Sequence, residues 1–309
     1  MTNTSRSQAG IALLLVLFLI IGLGTTLLLS SLSSGQQQRE QNSRTQAALR
    51  QAKEALIAWS VTHKTTPGLL PCPEDTTIIG TPNEGKASGS CPNANTSIGR
   101  IAWRTLGLTE PRDATGEQLW YVLSPGFRSV PPLGSAGIAN GQLQLDGAYN
   151  GIAALIIAPG APLPGQMRTP PSIASPPVST NYLDLGNAAG PAFVSNGPKD
   201  SFNDQVLAIT TQELFQAINF RVLAEIRGAF DLQNGLRRYY NDNASFPPAG
   251  TPLDTLYFDT STRNWLAPIS NPGLWFSLVS YTTPSPTAAQ LTLGTVPLKV
   301  IPCTAVPCP

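Results

Sequence analysis

Histidine is nearly absent from the 309-residue chain: His63 is the only one. A Ser–His–Asp or Cys–His centre needs an imidazole beside its nucleophile, and His63 falls at the end of an expected helix, so neither centre is expected. No G-x-S-x-G, H-E-x-x-H or Walker-type loop occurs, which removes the commonest hydrolase, metalloprotease and nucleotide signatures. With no catalytic set, the reading is non-enzymatic and without cofactor. Charge is also scarce, at 12% of residues against about 25% in ordinary soluble proteins. The net charge of +1 gives no electrostatic reason to expect nucleic acid as a partner. There is no C-x-x-C, although four cysteines are present.

The scarcity of charge is most complete in "SRSQAGIALLLVLFLIIGLGTTLLLSSLSSGQQQRE", where nothing between Arg6 and Arg39 is charged. Ile11 to Leu32 is long enough, as a helix, to cross a hydrocarbon layer of about 30 Å. A cleavable signal has an apolar core of about 7–15 residues and an A-x-A-like site after it; Ser33-Ser34-Gly35 and a Gln-rich stretch follow instead. A transmembrane helix over 11–32 is therefore the expectation. The single early cation, Arg6, places the N-terminus in the cytoplasm and the body outside. In an exported body, Cys72, Cys91, Cys303 and Cys308 point to disulfides. Three pairings are possible; the local solution is Cys72–Cys91 with Cys303–Cys308, and a zinc site is the rival.

From Gln36 to His63 there is neither proline nor glycine, and the good helix formers there extend the helix to about residue 66. Ala48, Ala52, Leu56, Trp59 and His63 make its apolar stripe, and Pro67-Gly68 stops it. Strands or near-strands are read at Gly99–Leu108, Glu117–Arg128, Gly141–Gly147 and Gly151–Gly160. The 27 glycines and 29 prolines imply many turns, and Pro162 to Asp200 reads as a long irregular connection whose Tyr182-Leu183 can dock onto the body. Thr210 and Glu213 form a capping box. After it, Leu214, Ile218, Val222, Ile226 and Phe230 mark a second helix, continued by Leu236 and Tyr240 until Pro247-Pro248.

The two halves share landmarks in the same order: helix, proline turn, Arg100-x-x-Trp103 or Arg263-x-Trp265, then Leu119-Trp120-Tyr121 or Leu274-Trp275-Phe276. A degenerate duplication is one reading and chance the other. Glu74, Asp75 and Glu84 cluster three carboxylates between two cysteines. Calcium accepts such oxygens, but the spacing is not that of an EF-hand loop, and solvated loop acids are the alternative. No metal is assigned. Trp103, Trp120, Trp265 and Trp275 read as core residues in preference to a binding surface.

Ala9-Gly10 directly before Ile11 and the apolar run, the helix continuing into the body, and "LRRYYNDNASFPPAG" (Leu236–Gly250) together resemble the type IV pilin and type II secretion pseudopilin superfamily. "LPCPED", "GRIAWRTLGL", "GEQLWYVLSPGFR" and "IIAPGAPLPGQMR" look like segments of large pilin-like proteins of Gram-negative bacteria. The resemblance implies that a prepilin peptidase cuts between Gly10 and Ile11 and that Ile11 is then N-methylated. It also implies an inner-membrane assembly platform and other pilin or pseudopilin subunits, met through the N-terminal helix, as partners. One departure matters: the family places Glu at the fifth residue after the cut, where this chain has Leu15. Tip subunits share that departure.

The expectation is an α+β protein with a long N-terminal helix, transmembrane then amphipathic, packed on a small antiparallel sheet, and a second degenerate helix-plus-sheet module. Its parts are a leader (1–10), a membrane helix (11–32), the helix continuation (33–66), a first β-rich module (67–200) and a second module (201–309). The location expected is the inner membrane as a single-pass protein, cytoplasmic N-terminus and periplasmic body, reaching a filament tip or the cell surface on assembly. The function expected is that of a minor or tip pilin or pseudopilin. The alternative is an anchored periplasmic binding or scaffold protein that does not polymerise.

Overall fold

The computed structural model describes residues 35–64, 66–91, 96–128, 133–134, 137–138, 141–198, 200–228, 234–256 and 275–303. The chain divides into two compact units, residues 1–47 and 48–309. Helix α1 is described over 35–62. Residues 35–40 are exposed and polar, with a surface Arg44–Glu40 pair at i,i+4. Further on, Leu49, Ala52, Leu56 and Ser60 are fully buried. Their spacing of three and four sets one helical face inward, and each leucine contributes about 1.5–3 kcal/mol of burial. That face is rotated from the expected stripe, since Ala48, Trp59 and His63 stay only half-buried.

The main sheet contains β1 (Ser97–Arg100), β2 (Trp120–Leu123), β5 (Leu143–Leu145), β6 (Ala148–Ala158), β7 (Ala192–Phe193) and β8 (Gln205–Thr210). Its order is β1-β2-β6-β5-β7, with β8 also paired to β6. A separate two-stranded hairpin joins β3 (Leu133–Gly134) and β4 (Gly137–Ile138). Strand β6 pairs antiparallel with β2, β5 and β8. Trp120, Val122, Leu155 and Ile157 face one hydrophobic cluster, while Tyr121, Leu123, Ala154 and Ile156 face the other. Burial on both faces is why "WYVL" and "IAALIIA" read as continuous apolar runs and not as alternating ones.

One face is covered by α1 and by α2 (Thr211–Arg227), whose Leu214, Phe215, Ile218, Val222, Leu223 and Ile226 are buried in the same cluster as Leu49 and Leu56. Thr210 Oγ1 accepts from the Glu213 amide at 3.1 Å, so the capping residue starts the helix as its sequence suggests. Lys53 ties α1 to this layer: its ammonium pairs with Glu213 at 2.7 Å and donates to the Ala208 carbonyl at 2.9 Å. The guanidinium of Arg221 donates to the carbonyls of Val61 and His63 at the end of α1. The other face is covered by irregular chain, with Tyr182 and Leu183 buried against Trp120 and Leu155 beside Phe193 of β7. Tyr182-Leu183 therefore docks as expected.

Four expectations need correction. The sheet is not a small antiparallel one: it has six strands and is mixed, because β5 and β7 run parallel. Among the described residues the expected transmembrane-then-amphipathic helix is not found, which conflicts with the expected single-pass inner-membrane location. Among the described residues no helix is long and apolar enough to cross a membrane; α1 carries Arg39, Glu40, Arg44, Arg50, Lys53 and Glu54. The leader 1–10 and the apolar run 11–32 lie outside the described residues. A second pilin-like module is not a separate body. The three-stranded sheet β9 (Val279–Ser285), β10 (Ala288–Leu293) and β11 (Val296–Val300) supplies Leu291, Val296 and Val300 to the cluster that also holds Leu49 and Ile156. Its landmark Trp275 precedes a 3-10 turn, Phe276–Leu278, whereas Trp120 lies in a strand; Arg263, Trp265 and Leu274 lie outside the described residues.

The last correction concerns the second helix, which stops at Arg227; α3 (Gly235–Asn243) is a separate helix. Gly228 has φ +92° and ψ +149°, a region open essentially to glycine alone. A β-carbon there would overlap the Asn234 carbonyl. Backbones cross at this point, so Gly228→Ala should destabilise the protein by about 2 kcal/mol. Urea unfolding checks this, and an unchanged midpoint would show that the crossing does not need glycine.

Candidate functional site

Two buried polar centres stand out, one on residues that the sequence singles out and one on residues that it does not. The first lies inside the loop closed by the Cys72–Cys91 disulfide, a separation of 19 residues. Cys303 is also disulfide-bonded, while Cys308, Gly10 and Ile11 lie outside the described residues. The Glu74 amide donates to the Arg100 carbonyl at 2.9 Å, which brings the loop to the end of β1. There Arg100 Nε meets Glu74 Oε2 at 2.6 Å, both side chains being almost fully buried, and Arg100 Nη2 reaches Glu84 Oε1 at 3.4 Å. The Gly85 amide donates to Glu74 Oε1 at 2.9 Å. Burial raises the Glu74 carboxyl above its ordinary value, outweighing the pull of Arg100 and of the Gly85 amide.

These contacts use the candidate calcium ligands within the protein. Asp75 Oδ1 accepts from the Thr77 amide and hydroxyl at 2.9 and 2.7 Å, bonds that lower its pKa. Glu84 Oε2 accepts from the Gly80 amide at 2.9 Å. Among the described residues no group of three or more His, Cys, Asp or Glu is placed to hold a metal. Of the tryptophans, Trp120 and Trp275 are buried. Trp103 is partly buried against the core beneath the Arg104 guanidinium, 4.6 Å from its ring; Trp265 lies outside the described residues.

The second centre fixes the irregular chain to the sheet. Arg168 donates to the carbonyls of Gly160 at 2.6 Å, Tyr182 at 3.1 Å and Asn181 at 3.2 Å, and to Gln166 Oε1 at 2.7 Å. It also pairs with Glu117 at 3.2 Å. Its planar fork suits several acceptors at once. Beside it, Asp184 and Asp204 form a reciprocal bracket: the Asp184 amide donates to Asp204 Oδ2 at 2.9 Å, and the Asp204 amide to Asp184 Oδ2 at 3.2 Å. Gln166 Nε2 donates to Asp184 Oδ1 at 2.8 Å, the Asn203 amide to Asp184 Oδ2 at 2.7 Å, and Asn187 Nδ2 to Asp204 Oδ2 at 2.9 Å. Asp204 is 3% exposed, and its Oδ1 accepts no hydrogen bond among the described residues. Burial pushes the Asp204 carboxyl up to about 7; the Asp184 charge adds to this, while the Asp184 amide, Asn187 and Arg168 pull it down.

Sequence reasoning misses this centre because Gln166, Arg168, Asp184, Asn187 and Asp204 have no motif spacing. The one available signal is the length of the connection, since long structureless loops in compact proteins are often functional. Comparison with protein-family models, curated proteins and solved structures finds no match.

The buried pair yields a stability prediction. Glu74→Gln leaves a buried guanidinium with only the longer Glu84 contact and should cost about 3 kcal/mol, the low end for breaking a buried pair. Glu74→Gln combined with Arg100→Met should cost less than Glu74→Gln alone, because no unpaired charge remains. Denaturant unfolding of the two variants checks this; a double variant destabilised at least as much as Glu74→Gln would contradict it.

Proposed function

We propose that this chain is a non-catalytic assembly subunit of the pilin and pseudopilin kind, in a minor or tip position. The observation that carries the reading is the division of labour along α1: its later turns are seated on the sheet through Leu49, Ala52 and Leu56, while residues 35–40 are exposed. A helix used in this way anchors a body at one end and leaves its other end for neighbouring subunits. The Ala9-Gly10-Ile11 junction and the uncharged stretch after it supply the processing and packing segment that such a subunit needs. Leu15 supports the tip position, because an apolar side chain there demands no amine from a subunit ahead of it, as a buried carboxylate would. The partners proposed are a prepilin peptidase, an assembly platform and other subunits met through the N-terminal segment.

Processing is the direct test. The full chain is co-expressed with a prepilin peptidase and its N-terminus sequenced. The reading expects Ile11 as the first residue, and expects Gly10→Val, which puts a branched side chain at the cut, to retain Met1. Met1 on both proteins would contradict it and favour the binding or scaffold alternative.

A further inference from the structure

We propose that the Asp184–Asp204 bracket is a proton-operated clasp: with Asp204 neutral the chain around Tyr182 and Leu183 stays docked on the sheet, and ionisation of Asp204 releases it. The bracket joins the 3-10 turn Leu185–Ala188, which follows Asp184, to the residue that enters β8. Two donors, the Asp184 amide and Asn187 Nδ2, converge on Asp204 Oδ2, whereas Oδ1 is buried and accepts no hydrogen bond among the described residues. A carboxylate with one oxygen stripped of water and of donors is costly; the neutral acid, with its proton on Oδ1, buries an unpaired hydroxyl but no charge and costs less.

The charged groups facing Asp204 do not remove that cost. Asp184, from the chain before the turn, repels the ionised form, and Arg168, from the chain after β6, favours it. Arg168 is itself neutralised by Glu117, from the segment before β2. Asn187 also donates Nδ2 to the Val194 carbonyl at 3.1 Å and accepts from the Val194 amide at 2.8 Å. Loss of the bracket therefore loosens both the turn and the chain leading out of β7. What it uncovers is the apolar face of Trp120, Val122, Leu155 and Ile157, so the clasp governs access to that face.

The sign follows from linkage. Asp204 is raised from 3.8 to about 7, so its contribution to docking is complete below the unfolded value and is lost as pH rises toward 7. Release through this one group should grow by up to about tenfold per pH unit across that window, and level off above it. The test is hydrogen exchange of the full chain from pH 4 to 8.5, corrected for intrinsic rates and read on residues 179–194 and on β6. The clasp predicts that protection of 179–194 falls across the window while β6 holds, and that Asp204→Asn, always neutral, removes the pH dependence. Flat wild-type protection would overturn the proposal without reference to any variant, and so would an unchanged slope in Asp204→Asn. Restoration of wild-type protection at pH 8 by millimolar calcium would overturn it too, because the buried oxygen would then be a cation ligand and not a proton site.

Discussion

Strand β6 has no free face. Residues 154–157 pair with β2 along one edge and β8 along the other, and their side chains alternate between two buried clusters. A strand of this kind is stable only if something apolar covers each side of the sheet. On one side that is helix, α1 and α2, held by Lys53 and Arg221. On the other side it is irregular chain, and much of the rest of the structure follows from that asymmetry.

A helix satisfies its own backbone, and a covering loop does not. Chain laid on an apolar sheet must find partners for its buried amides and carbonyls, or pay for their desolvation. Arg168 and the Asp184–Asp204 bracket answer that requirement: one guanidinium serves several carbonyls, and two carboxyl groups take up amides across the gap between the turn and β8. The solution has a weak point, since among the described residues no donor reaches the buried Asp204 Oδ1. The Glu74–Arg100 centre is the opposite case. There a buried carboxylate meets a buried cation directly, and the disulfide-closed loop carrying Glu74 and Glu84 is tied to the end of β1.

What the sequence disclosed was mainly what depends on runs and caps. The strands β2 and β6 are visible as apolar runs, Thr210 as a helix start, and Tyr182-Leu183 as an apolar step able to dock. The inward face of α1 is not legible, because the periodicity of Ala48, Trp59 and His63 competes with that of Leu49 and Ser60, and only the neighbours decide between them. The break between α2 and α3 is not legible in the apolar periodicity, which runs on through Leu236 and Tyr240; Gly228 and Gly235 sit where two backbones cross. The clasp was not legible because residues 20 apart meet only once the loop is laid on the sheet. The parallel β5–β7 pair was hidden for the same reason, as each contributes only two paired residues.

Irregular chain covers β6 as completely as the helices do. Leu155 faces that chain and Ile156 faces the helices, and both are fully buried. The most direct measurement is denaturant unfolding of Leu155→Ala beside Ile156→Ala. A fully covered strand predicts a loss of about 2–5 kcal/mol for each. A loss within about 0.5 kcal/mol for Leu155→Ala, with Ile156→Ala strongly destabilised, would show that the loop face is open and would contradict the account.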